Sequence, residues 1–266
     1  MVTAFYGKRF TPEQIAPLVY TPGRQGSLQI EILAAARSLG FAPYKLTNNL
    51  PDLLRELDAG HPVLVLQNLA LPIYPMWHYA VVIGYDSDEQ KLILHTGDQA
   101  NYRVSIATFD RTWARAKRWG LVILPPGQLP KTSMANQVLE TAIGLEQTRH
   151  PRAALLTYQA GVKRWPNNFA LRMGIANTHM QLNEPLAAGL AYREALKLDN
   201  RSAAVLNNFA YSAQQLGCEI TALDAARCAL RYAGREKKSV EETILELENK
   251  STRPINHGTC PVIHCR

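Results

Sequence analysis

No cysteine occurs before Cys218 in this chain of 266 residues, and the four present, Cys218, Cys228, Cys260 and Cys265, all fall in its last fifty. Everything ahead of residue 218 is therefore without a thiol that could attack a substrate, bind a metal or pair in a disulfide. Long hydrophobic runs are missing too. The best candidate, Pro62 to Trp77, is interrupted by Gln67, Asn68, Pro72 and Pro75, and falls short of the ~18 apolar residues that span a bilayer. The start, Met1 to Arg9, has no basic-then-apolar signal pattern. The chain as written is expected to be soluble and untargeted, with no transmembrane segment and no compartment readable from it. Charge of one sign is not concentrated: the net +7 divides as +2 over residues 1–130 and +5 over residues 131–266. With no basic stripe interleaved with aromatics, nucleic acid is not an expected partner.

What is present is an ordinary globular composition, 47% hydrophobic and 19% charged, in a chain long enough for two domains. The second half repeats itself. Pro151, Pro185 and Glu219 open equivalent stretches, each 34 residues after the last. Small residues recur in the same phase: Ala142, Ala176 and Ala210; Ala154, Ala188 and Ala222; Gly161, Ala195 and Ala229. Tyr158 and Tyr192 fall where the third unit has Ala226, and Pro166, Asn200 and Gly234 hold a helix-ending position. Each unit carries two apolar-periodic stretches separated by a short polar turn. Small residues let paired helices approach, and larger ones (Ile175, Leu196, Phe209, Leu230) fill the space between pairs. One pair cannot cover its own apolar face, so the units must stack. A 34-residue period of this kind resembles the tetratricopeptide repeat, over about residues 134–234.

Such arrays present a concave groove to a peptide or protein ligand. Arg172, Asn177, Asn207 and Asn208 lie on first helices of their units and are the candidate binding residues. The alternative is that the repeats only cap or dimerise their neighbour. We expect domain limits of 1–124 for an α+β domain, 125–130 for a Pro/Gly-rich linker, 131–235 for three repeats, 236–250 for a terminal helix and 251–266 for an irregular Cys/His tail.

Before residue 125 the pattern reads helix Pro12–Tyr20, turn, helix Ser27–Leu39 with Ser27 as N-cap, a short strand at Ala42–Lys45 and helix Leu50–Ala59. Strands at Pro62–Gln67, His78–Tyr85, Lys91–His95, Tyr102–Ser105 and Trp119–Leu124 follow, with a helix at Ile106–Arg115. Helices first and an antiparallel sheet afterwards indicate an α+β class. His78 opens an apolar strand, and the next strand ends in His95-Thr-Gly-Asp98. A hairpin brings these ends together, so His78 could meet His95, Thr96 or Asp98. A base beside an orienting acceptor is what thiol activation requires, although a lone histidine at a strand start is more often structural.

The stretches Gly60-His-Pro-Val-Leu-Val-Leu66 and His78-Tyr-Ala-Val-Val-Ile-Gly-Tyr-Asp86 resemble the bacteriocin-processing cysteine peptidases, whose fold is papain-like. The closer resemblance is to stand-alone bacterial proteins joining this domain to tetratricopeptide repeats. In those proteins a stretch like Val19-Tyr-Thr-Pro-Gly-Arg-Gln-Gly-Ser-Leu-Gln-Ile30 follows the catalytic helix. The resemblance covers roughly residues 1–130. It implies a Gln ahead of a Cys-Gly-Pro motif, with Cys as nucleophile, Gln holding the oxyanion, His78 as general base and an Asp orienting it. The family's Asp falls near Thr96, so Asp98 would have to serve or His95 takes another role. No Cys-Gly-Pro and no Gln-x-x-Cys occurs. Met1 to Gly7 looks like the later part of the cysteine-bearing helix, and the expected account is a start at an internal methionine. The resemblance also implies an exported or lipid-anchored form of a longer protein.

Three readings follow. One is proteolysis by a longer form, with the repeats recruiting substrate. The second is a peptidase-like binding protein that does not cut, and the third a structural adaptor. The 266-residue chain is expected to be inactive as a peptidase. No phosphate-cradling ATP motif is present, so a peptide-exporting transporter is not encoded. No cofactor is expected. Cys260, Cys265 and His257 are of types that suit zinc, but their spacing is not a familiar zinc pattern. A tail disulfide or free thiols are expected there, with Cys218 and Cys228 on repeat helices as small core or semi-exposed residues.

Overall fold

The computed structural model describes residues 1–24, 26–250, 256 and 260–265. Gln25 and His257, singled out in the sequence, lie outside the described residues. The chain divides into two compact units, Met1–Ala153 and Ala154–Arg266.

The first unit runs α1 (Val2–Phe5), α2 (Pro12–Val19), a 3₁₀ turn (Pro22–Arg24), α3 (Gln29–Ser38), β1 (Ala42–Lys45), α4 (Leu50–Asp58), β2 (Val63–Asn68), β3 (Trp77–Asp86), β4 (Lys91–Thr96), β5 (Gln99–Ser105), α5 (Ile106–Arg115), β6 (Gly120–Leu124) and α6 (Ala135–Gln147). The strands form one antiparallel sheet in the order β1-β6-β2-β3-β4-β5. Helices cover both faces, which is why β2 and β3 read as nearly continuous apolar runs instead of alternating. On one face Val81, Leu121 and Ile123 pack with Val2 of α1, Leu33 and Ala36 of α3, and Phe41. On the other, α5 lies against β2, and Gln67 Nε2 donates to Thr112 Oγ1 at 2.7 Å.

Local chemistry sets the helix starts. Asn49 caps α4 by accepting from Asp52 N at 2.8 Å, and Ser105 caps α5 by accepting from Thr108 N at 3.2 Å. The cap of α3 is Leu28, not Ser27. Glu31 reaches back to the Leu28 N–H at 2.7 Å and so moves the start one residue on. Ser27 uses its carbonyl to accept from Tyr79 Oη instead.

The turn-rich stretch 125–130 lies within the first unit, as does α6. Thr141 Oγ1 donates to the Pro43 carbonyl and Gln137 Nε2 to that of Lys45. Glu56 of α4, fully buried, ties down the chain just beyond the stretch. Its carboxylate accepts from Lys131 N (3.2 Å), Thr132 N (2.7 Å) and Thr132 Oγ1 (2.7 Å), and pairs with His61 Nδ1 at 2.7 Å.

Helix α7 (Pro151–Arg164) crosses the division between the units. The second unit continues with α8 (Phe169–Gln181), α9 (Pro185–Leu196), α10 (Ala203–Gln215), α11 (Glu219–Tyr232) and α12 (Lys237–Lys250). The 34-residue phase survives in three dimensions, since Pro151, Pro185 and Glu219 are the first residues of α7, α9 and α11. Every small residue of the repeat pattern is buried. Gly174 shows why size matters: a Cβ there would sit 2.4 Å from the ring of Tyr158, itself 1% exposed. Gly174→Ala should therefore destabilise the array by about 1–3 kcal/mol, seen as a lower Tm in thermal unfolding.

Both tail cysteines are bonded to helix cysteines, Cys218 to Cys260 and Cys228 to Cys265. Of the core and semi-exposed settings open to them, Cys218 and Cys228 take the core; both are in disulfides, and the tail does not pair with itself. Ten residues near and along α11 rise roughly 15 Å, and five residues of extended chain reach roughly 16 Å. The two spacings match only if 260–265 runs nearly extended beside α11. Ile263 packs into the helical core, and Pro261 lies over Gly189. Asn256 adds an N-cap from outside the helix, accepting from Ile220 N and Thr221 N at 3.1 and 3.3 Å.

Candidate functional site

The pairing of β2, β3 and β4 decides what His78 can meet. His78 lies opposite Gln67, and Ala80 opposite Thr96. Residues two apart on a strand share a face, so His78, Gln67 and Thr96 lie on one side of the sheet. His95, opposite Val81, lies on the other. His78 Nε2 and Thr96 Oγ1 are 2.5 Å apart. Of the three partners open to it in the sequence, His78 takes Thr96. Asp98 is an exposed residue of the β4–β5 turn and does not bond to His78.

A hydroxyl at this position orients the ring through Nε2 but brings no negative charge to stabilise an imidazolium, as a carboxylate would. Nδ1 of His78 has no hydrogen-bond partner among the described residues. The ring is half-buried, with Gln67 as its cross-strand neighbour, and the loop of mostly exposed apolar residues 69–76 precedes its strand. On the other face of the sheet, Tyr79 donates to the Ser27 carbonyl at 3.1 Å and stacks edge-on with Trp119. Burial first, and the charge of Glu31 second, push the Tyr79 phenol up to about 12, so it stays protonated and keeps that hydrogen bond. His95 accepts from Asn101 N at 3.3 Å and lines an apolar cavity of about 240 Å³ with Val2, Phe5, Pro62, Val81 and Ile83. It serves a different region from His78.

All four cysteines of the sequence are in disulfides of the second unit. Those bonds also remove Cys260 and Cys265 as thiolate ligands for a metal.

The candidate binding residues of the repeats part company. Asn177 of α8 and Asn208 of α10 come together, with Asn208 Nδ2 donating to Asn177 Oδ1 at 3.2 Å and Tyr192 Oη donating to the same oxygen at 2.8 Å. They line a cavity of about 350 Å³ with Met180, Tyr192, Tyr211 and Gln215. Arg172 lies outside it, donating to the Pro166 carbonyl at 2.8 Å, with Glu194 at 3.9 Å. Asn207, one residue from Asn208 and so about 100° around the helix, is turned inward. It is 9% exposed, and its Oδ1 is buried without a hydrogen-bond partner among the described residues. The sequence reading missed Tyr192 and Tyr211 as cavity walls, because aromatic residues at helical spacing read first as core.

Residues 1–120 match the Peptidase_C39 like family, and residues 131–245 match the coatomer epsilon subunit family. Among solved structures the chain is similar to the TPR2B domain of yeast Sti1, from a structure described as a TPR2B-domain:pHsp70 complex. That likeness has 13% identity, 44% of this chain and 98% of that one covered, and a TM-score of 0.43. It is also similar to the MamA protein, with 13% identity, 55% and 82% covered, and a TM-score of 0.36. No curated protein matches the chain. Residues 1–120 are a Peptidase_C39-like region with an antiparallel sheet, and the helices that follow are a tetratricopeptide-like array.

Proposed function

We propose that this chain is a peptidase-like binding protein, one that holds a peptide or an extended protein segment in the repeat array and, as the 266 residues stand, does not hydrolyse it. The observation that carries the reading is chemical. The oriented imidazole of His78 has no thiol in these 266 residues to deprotonate, because all four cysteine sulfurs are paired in disulfides. Covalent catalysis by this family needs a thiolate.

The Asn177–Asn208 pair supports the binding half of the reading. With Asn177 Oδ1 already taken by two donors, its amide N–H groups and the Asn208 carbonyl remain to meet a peptide backbone, inside a cavity walled by Tyr192 and Tyr211. The two disulfides fit an oxidising compartment. Screening the protein against immobilised extended peptides should yield binders whose affinity falls about tenfold in an Asn177→Ala, Asn208→Ala variant, as expected for losing one or two hydrogen bonds. His78→Ala should leave that affinity unchanged. If binders are found and the asparagine variant holds them equally well, the groove assignment fails.

A second reading is favoured by one feature, the Nδ1 of His78, which is unpartnered while Nε2 is held by Thr96. That is how a base awaiting a nucleophile is arranged. If the family's cysteine-bearing turn, placed ahead of Met1, conferred hydrolysis that His78→Ala abolished, His78 would be shown to be a competent base. No hydrolysis from that chimaera would leave His78 a structural residue.

A further inference from the structure

Between Gly60 and Asp86 the chain holds no Lys, Arg, Asp or Glu. The middle of that stretch, residues 69–76, leaves the sheet between β2 and β3 and, with Trp77 at the start of β3, exposes Leu71, Ile73, Tyr74, Met76 and Trp77, with Ile73 and Tyr74 at 77% and 78%. With most of their surface open to solvent, these side chains form an exposed apolar knob.

Part of the knob's backbone is paired within the loop. Leu69 N donates to the Met76 carbonyl at 2.9 Å, and Tyr74 N to that of Leu71 at 3.1 Å. The buried Asn68 accepts through Oδ1 from Ala70 N at 3.1 Å and Met76 N at 2.9 Å. Pro72 and Pro75 have no N–H to satisfy. Arg115 of α5 donates to the Ala70 carbonyl at 2.9 Å and to that of Asn68 at 3.5 Å. These bonds satisfy part of the loop's backbone, which lowers the cost of placing it where water is scarce.

The flank carries the complementary charge. Arg115 and Arg111, one turn apart on α5, are exposed and have no acidic partner among the described residues. A tip of Leu, Ile, Met, Tyr and Trp with the Arg115 guanidinium at its base, and Arg111 one turn away on the same helix, is the layout of a membrane-surface element. The aromatic rings sit at headgroup level and the cations meet lipid phosphates. Among the described residues no helix is long and apolar enough to cross a membrane, so the contact would lie at the interface.

We infer that loop 69–76, with Trp77 at the start of β3, is an interfacial anchor that inserts Ile73, Tyr74 and Trp77 into a membrane rich in anionic lipid. The 266-residue protein should sediment with vesicles of phosphatidylcholine mixed with phosphatidylglycerol, and much less with phosphatidylcholine alone. Tryptophan emission should shift to the blue on addition of the mixed vesicles. Replacing Ile73→Asp and Tyr74→Asp together should lower partitioning by about a hundredfold, and Arg111→Gln should weaken it about fivefold on the anionic vesicles only. These residues are exposed, and an unchanged circular dichroism spectrum checks that each variant folds. Failure to bind either vesicle overturns the inference, as does binding that the Ile73 and Tyr74 substitutions leave intact. If the substitutions instead abolish capture of a Leu/Ile-rich peptide while vesicle binding was never present, the knob is a peptide contact.

Discussion

Replacing Cys260 and Cys265 by serine lowers the Tm of the repeat unit by at least about 15 °C, the largest effect we expect of any change in this chain. The Cys218–Cys260 bond closes a separation of 42 residues and Cys228–Cys265 one of 37. In the chain-entropy account either bond alone stabilises by about 4 kcal/mol. Once one is closed, the path between the other pair shrinks to ~15 residues, through ten of the helix and five of the tail, and the second bond adds about 3 kcal/mol. The loss is therefore not twice a single loss, and each single variant should sit much nearer the wild type than the double. Calorimetry with and without reductant measures this, and digestion without reduction maps the pairs. A Tm indifferent to reductant would mean that the tail is not bonded to the array.

The second large effect belongs to Glu56. Burial by itself would raise its pKa, but hydrogen bonds from His61, from the Thr132 hydroxyl and N–H, and from Lys131 N outweigh burial and hold the carboxyl below its ordinary range. A group whose folded pKa is depressed stabilises the fold above its unfolded pKa, about 4.3 for a glutamate, and that stabilisation is lost as pH falls through the folded value. Acid unfolding of the first unit should therefore begin below about pH 4.3, the stability rising with pH up to that point. Glu56→Ala should cost about 3 kcal/mol at neutral pH, because the buried donors around it lose their acceptor together. The same substitution should flatten the acid limb of the stability curve. A curve of unchanged slope would place the pH dependence on another carboxylate.

Much of this was legible from local pattern. Strand β1 and helix α5 fall where the sequence places them, and the other elements shift by no more than a few residues, because turn chemistry and apolar periodicity are short-range signals. The repeats were legible for the same reason, since each small residue at a crossing recurs 34 residues later. What could not be read depends on relations between distant residues. The choice of Thr96 over Asp98 or His95 is a matter of register, and β3–β4 and β4–β5 each carry an irregularity. A one-residue slip would have put His95 on the face of His78. Asn207 and Asn208 are indistinguishable as letters, yet one helical step turns one inward and the other to the cavity. The disulfide partners lie 42 and 37 residues apart with no local signature. The knob at 69–76 reads in sequence as a failed hydrophobic span, and only its folded backbone shows it to be a loop.

The most direct measurement is peptide hydrolysis by the purified 266-residue protein, with and without an alkylating agent, set beside His78→Ala. The account predicts no alkylation-sensitive turnover in any of these samples. Hydrolysis that iodoacetamide blocks and that His78→Ala removes would contradict it, because a sulfur outside the two disulfides would then have to sit beside that imidazole.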